Sequence, residues 1–222
     1  MRYKLAASLL CVSSVAIASS CPTGDALLQN NTPLSSLCPN GFGQQQHGSI
    51  QDSINAQQNN TAMITAAAEN DSVPTDLALA VSYHESEGFN SCAGSFSGVR
   101  GPMQLTQATA KSYGFNRDIN EQNIQGGMAV LSAAYKACGY NYTCLAAHYN
   151  GSTSAQQAGW AKAVQKGDQE LQANPQEVAS ACGGAQQCLW TGNDTPTTTT
   201  TTAATADPQI AATDTNVGIA DV

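Results

Sequence analysis

Charge is what this chain has least of. Only 11% of its 222 residues are Asp, Glu, Lys or Arg, and Lys and Arg together number 8. A nucleic-acid groove needs clustered cations to neutralise phosphates. Here the formal net charge is −8, and basic residues beyond the N-terminus, such as Arg100, Lys111 and Lys136, are scattered. Nucleic acid is therefore not an expected partner. Strand-like alternation is also missing, so an all-α fold is expected. There is no Gly-x-Ser-x-Gly elbow and no phosphate-binding loop, which sets aside those hydrolases and nucleotide enzymes. No cofactor is implied. After the N-terminus no segment is apolar enough to cross a bilayer.

The N-terminus has the layout of an export signal. Arg2 and Lys4 precede an apolar or small stretch from Leu5 to Ala18, and Ala16-Ile17-Ala18 forms a small-x-small cleavage site. Residues 1–20 are read as that signal, which places the mature protein in the periplasm or outside the cell. The cysteines agree with an oxidising compartment. Of eight, Cys11 leaves with the signal, and seven remain. Cys138/Cys144 and Cys182/Cys188 are close pairs of equal spacing, which predicts two small disulfide loops and admits Cys38–Cys92 as a third. Cys21 sits where a lipoprotein carries its acylated cysteine, and lipidation there would leave an even set. Ala18-Ser19-Ser20 is a poor match to the sequence such acylation uses, so a free and a lipid-anchored Cys21 both stay open.

Residues 21–52 read as linker, rich in Pro, Gly, Asn and Gln. Helical signals follow. Ile54, Met63, Ile64 and Ala67 form a stripe over about 53–70, broken by Asn70-Asp71-Ser72-Val73-Pro74. A second helix spans about 75–86 with Asp76 in its first turn. Others are expected at about 106–113, 120–138, 142–150, from 154 through Trp160 and Val164, and 175–181. Gly126-Gly127 within the fourth points to a tight crossing, since Gly costs about 1 kcal/mol relative to Ala in a helix. The expected domain covers residues 53–189. Residues 190–222, with their Thr-rich run, lack the apolar content to order themselves.

One residue stands out chemically. Glu85 closes an apolar helix just before Gly88. Backbone carbonyls point outward there, so the carboxylate is disfavoured and its pKa should rise. A protonated carboxyl group near neutral pH is what cleavage of a glycosidic bond requires. The plain alternative is a solvated surface Glu. A second acid is harder to find. Glu87 points to another side, while Asp118 and Glu121 read more simply as loop and helix-start residues. Cys144 and His148 lie four apart on one helical face, but no third and fourth metal ligand is evident and Cys144 has Cys138 as its disulfide partner. No metal is expected.

The pattern around Glu85 resembles the soluble lytic transglycosylase (SLT) domain family, which has a lysozyme-like fold. The chain carries Glu85-Ser86, then Gly101-Pro102-Met103-Gln104, then Asn123-Ile124-Gln125-Gly126, then Tyr149-Asn150, in that order. It departs from the family by an inserted Glu87, by Pro102 in place of Leu, and by Tyr149-Asn150-Gly151-Ser152 in place of Tyr-Asn-Ala-Gly. The resemblance implies cleavage of the peptidoglycan MurNAc–GlcNAc bond with formation of a 1,6-anhydromuramyl end. It implies Glu85 as acid and then base, with Ser86 and Ser95 supporting the site and the substrate. Met103 and Gln104 would line the cleft, Tyr149 would orient Glu85 or touch the sugar, and Asn150 would hold the turn. For Met103 the alternative is core packing; for Tyr149 it is a buried hydroxyl bonded to backbone. By analogy of size, a secretion, conjugation or pilus machine is a candidate partner. The rival readings are a hydrolytic muramidase on the same fold and a non-catalytic wall-binding protein.

Overall fold

Eight successive residues of one helix, Thr75 to Ser82, are buried. A helix with no polar face belongs at the centre of a helical domain, and the rest of the molecule is arranged around this one. The computed structural model describes residues 21–43, 48–95, 98–150 and 153–182. Among these it contains ten helices: α1 (Pro22–Leu27), α2 (Leu34–Leu37), α3 (Ile50–Ala56), α4 (Gln58–Asn70), α5 (Thr75–Glu85), α6 (Gln107–Ser112), α7 (Asn120–Cys138), α8 (Tyr142–Tyr149), α9 (Ser154–Ala173) and α10 (Pro175–Ala181). Only isolated β-bridges accompany them. The all-α expectation holds.

The buried α5 packs between α4 and α9, while α8 bridges α7 and α9. The stripe expected over 53–70 is divided at Gln57, whose backbone leaves the helical region between α3 and α4. Ser49 and Asp52 form a capping box that starts α3 earlier than its apolar residues suggest. No helix among the described residues is long and apolar enough to cross a membrane.

The linker expected over 21–52 is in large part folded structure. Cys21, Leu28, Leu34, Cys38 and Ile50 are all buried. α1 lies against α4 so closely that a Cβ on Gly24 would sit 2.0 Å from the Ala62 carbonyl oxygen. The segment before α2 is tied to α7: the Asn120 amide donates to the Thr32 carbonyl at 2.9 Å, and the Thr32 amide to the Glu121 carboxylate at 2.8 Å. These are short, turn-rich pieces whose burial comes from tertiary contact rather than from periodicity.

Three disulfides join Cys21–Cys182, Cys38–Cys92 and Cys138–Cys144. The expected Cys182–Cys188 loop is overturned, because Cys182 is bonded to Cys21 across 161 residues of sequence. The reason is packing. α1 and α10 both dock on α4, the latter through Thr61 Oγ1 donating to the Ala181 carbonyl at 3.1 Å, and this brings Cys21 to Cys182. A sulfur in that bond cannot also carry a lipid thioether, so the lipid-anchored alternative for Cys21 does not fit this fold. The signal segment, residues 44–47, Cys188 and the tail from Thr191 lie outside the described residues.

Candidate active site

Glu85 is the last residue of α5, and Ser86 follows as the C-cap. The chain then turns sharply. Glu87, Gly88 and Phe89 have φ of 51°, 104° and 63°, and two of these three are not glycine, which costs backbone energy. The inserted Glu87 is thus absorbed in a left-handed turn. Three bonds hold it. Ser86 Oγ donates to the Ser82 carbonyl at 2.7 Å and accepts the Asn90 amide at 2.9 Å, and the Gly88 amide closes onto the Tyr83 carbonyl at 3.0 Å. Ser86 is fully buried; it supports the turn that ends α5, and its oxygen is committed there.

A tryptophan holds the Glu85 carboxyl group. Trp160 Nε1 donates to Glu85 Oε1 at 2.6 Å. Its indole stacks on Tyr149, with ring centroids 5.7 Å apart and planes 26° apart, and meets His84 edge-on at 6.3 Å. Tyr149 has 0% exposure, and its hydroxyl donates to the Met103 carbonyl at 3.2 Å. Tyr149 therefore props Trp160, and Trp160 orients Glu85. The sequence pattern assigned that task to Tyr149. Trp160 was legible only as a core residue of its helix, and its indole N–H gave no signal without the three-dimensional partner.

Burial sets the protonation state of Glu85. Loss of solvent raises its pKa from 4.5 to about 8, and the Trp160 hydrogen bond, which favours the anion, opposes this only in part. The residue as a whole keeps some exposure. Those two influences involve no second carboxylate. Asp118 is instead paired with Arg100 at 2.7 Å, and Glu121 is buried on the Thr32 amide. Burial, with the Glu85 charge adding to it, raises Tyr149 well above the usual phenol range, so it stays a donor.

The Gly101–Gln104 loop is fastened from three sides. Ser82 Oγ of α5 donates to the Pro102 carbonyl at 2.8 Å. Asn123 Oδ1 of α7 accepts the Met103 amide at 3.0 Å, and Asn123 Nδ2 donates to the Arg100 carbonyl at 2.8 Å. Tyr149 takes the Met103 carbonyl. This explains the motif asparagine on α7. The glycine pair beside it serves the same contact: a Cβ on Gly127 would fall 2.2 Å from Met103 Cβ. Met103, with 0% exposure, is packed in the core. Gln104 lies beside it. It is 1% exposed with φ of 47°, and its Nε2 donates to the Gly101 carbonyl at 2.8 Å, bracing its own loop. Ser95 is exposed, and its Oγ accepts the Gly98 amide at 2.8 Å. Asn150 is half-buried and caps α8, its amide donating to the Ala146 carbonyl at 2.9 Å.

A family model for the transglycosylase SLT domain matches residues 62–172, half of the chain. The chain belongs to the transglycosylase SLT domain family. The match contains α5, the Gly101–Gln104 loop, α7, α8 and Trp160, so every part of the site described above falls inside the SLT domain. Lytic transglycosylase-type cleavage of peptidoglycan is the family's activity. The N-terminal helices α1 and α2 lie before the matched range, and the Cys38–Cys92 disulfide ties the segment after α2 to a residue inside it.

Proposed function

We propose that this protein cleaves the MurNAc–GlcNAc β-1,4 bond of peptidoglycan by lytic transglycosylation, with Glu85 as the only acid–base group and a 1,6-anhydromuramyl end as product. The observation that carries the reading is the isolation of Glu85. Its carboxyl group is protonated up to about pH 8, one indole N–H fixes it, and among the described residues no second carboxylate acts on it. Retaining and inverting glycosidases use two acids roughly 5–9.5 Å apart, one to donate and one to trap the cation or activate water.

With one acid, the economical sequence is as follows. Glu85 donates its proton to the leaving glycosidic oxygen. The resulting carboxylate, held by Trp160 Nε1, then takes the proton of the muramyl 6-hydroxyl as that oxygen closes on C1. The ring forms within one sugar, and intramolecular placement gives the hydroxyl an advantage over water. The substrate's own N-acetyl group is suited to stabilise the cation meanwhile. Export to an oxidising compartment is part of the proposal, supported by three disulfides. The small catalytic unit suits local opening of the wall for a secretion, conjugation or pilus machine, a step supported by analogy of size alone.

Digestion of purified peptidoglycan followed by mass spectrometry of the muropeptides tests the reaction. The expected products are one water lighter than those of a hydrolytic muramidase. A digest with only reducing muramyl ends would make the protein a muramidase on this fold, and an undigested wall would make it a binding protein.

A further inference from the structure

Away from the active site, the turn between α7 and α8 gathers three ligand-type atoms. The sulfurs of Cys138 and Cys144 and a ring nitrogen of His148 all lie within 4.8 Å of one another. Cys138 ends α7, Cys144 lies in the first turn of α8, and His148 lies in its last turn. The sulfurs are joined as a disulfide. Both cysteines are half-buried and His148 is exposed, whereas Cys21, Cys182 and Cys38 are buried. Of the three bridges this one is the most open to a solution reductant at both ends.

The two sulfurs are not equivalent. A thiolate at the start of α8 is favoured by the helix dipole, and one at the end of α7 is disfavoured. Cys144 is therefore the better leaving group and Cys138 the sulfur to be attacked. Once opened, the pair would offer two thiolates and an imidazole. Tetrahedral zinc places such donors roughly 3.5–3.8 Å apart, given Zn–S of about 2.3 Å and Zn–N of about 2.0 Å; the three atoms already lie within 4.8 Å of one another, and the sulfurs separate once their bond is broken.

We propose that the Cys138–Cys144 bridge is reducible in the folded protein and that its reduced form, with His148, is a three-ligand site for Zn(II). The step balances with a dithiol reductant. One of its thiolates attacks Cys138 Sγ, and the S–S bond breaks with Cys144 leaving as thiolate. The second reductant thiol resolves the mixed disulfide, and the reductant ends oxidised by two electrons. Zinc then displaces the protons of both thiols and keeps its fourth position for water or an outside ligand. The cation would clamp both ends of α8, the helix that ends in Tyr149 and so props Trp160.

The test uses the full chain. Graded reduction followed by alkylation and peptide mapping should label Cys138 and Cys144 while Cys21–Cys182 and Cys38–Cys92 stay bonded. Zn(II) titration of the same partly reduced protein, left unalkylated, against a chromophoric chelator should show one equivalent bound. The His148→Ala variant should bind at least tenfold more weakly. The oxidised protein and the Cys138→Ser/Cys144→Ser variant should bind none at this affinity, the latter with unchanged helicity by circular dichroism. The proposal is overturned if the three bridges open together, if the double serine variant loses its helices, or if His148→Ala binds as tightly as the parent.

Discussion

Replacing Glu85 with Gln separates the electrostatics of the site from its chemistry. Gln keeps the shape and an oxygen for Trp160 Nε1, but it neither donates a proton nor ionises. Glu85 ionises near pH 4.5 when exposed and near pH 8 in the fold. Its folded-state pKa is raised, so the native state binds this proton more tightly than the unfolded state does. The native state therefore carries no penalty below pH 4.5 and an increasing one as pH rises toward 8. Linkage gives a penalty of about 1 kcal/mol at pH 5 and about 3 kcal/mol at pH 7. The Glu85→Gln protein should gain on the parent by the difference, about 2 kcal/mol, or roughly 4–8 °C in Tm for a chain of this size. Both proteins carry the same other buried acids, so these cancel in the comparison. Thermal unfolding of the two proteins across pH 4–8 measures the gap. Wall cleavage by the variant, assayed by turbidity, should fall by about two to four orders of magnitude. A Tm difference independent of pH would show that Glu85 is an ordinary solvated acid and would refute the reasoning.

Trp160→Phe keeps the stack on Tyr149 and removes the N–H that favours the Glu85 anion. The alkaline limb of the kcat/KM profile should move up, since the bond that lowers the Glu85 pKa is gone, while the maximum falls at least about tenfold, as loss of a charge-assisted hydrogen bond implies; an unmoved limb would remove Trp160 from the site. Cys21→Ala should cost about 5 kcal/mol by the loop-entropy estimate, because the bridge closes 161 residues, with chemical denaturation as the check and peptide mapping without reduction confirming the bridge in the parent. Gly127→Ala should lower stability by about 1–3 kcal/mol through overlap with Met103, despite the roughly 1 kcal/mol of helix propensity it gains, and chemical denaturation reads the sign.

The parts of this fold legible in the sequence are those whose apolar pattern repeats along a helix. α7 and α10 lie at the expected residues, and α5, α8 and α9 start where expected. Residues 21–43 were not legible as structure, because α1 and α2 are 6 and 4 residues long, too short for periodicity to show, and are held by docking and disulfides. At the site, the helix-end position of Glu85 did not by itself separate it from a solvated acid; the family pattern around it singled it out, and the fold places its carboxyl group on Trp160 Nε1. The roles of its neighbours were readable less well. Met103, Gln104 and Ser86 carry the family pattern because they brace loops, and a pattern does not distinguish bracing a cleft from lining it. Trp160 lies 75 residues from Glu85, and no local signal connects them. Cys182 shows the same limit, since its nearest cysteine in sequence is not its partner in space.

The most direct test of the central claim is to digest purified peptidoglycan in heavy-oxygen water and to follow the label in the new muramyl ends. If the Glu85 carboxylate takes its proton back from the sugar's own 6-hydroxyl, the new ends are anhydro sugars and carry no solvent oxygen. Solvent oxygen at C1 of the new ends would mean that water reaches the cation, and would contradict the single-carboxylate account.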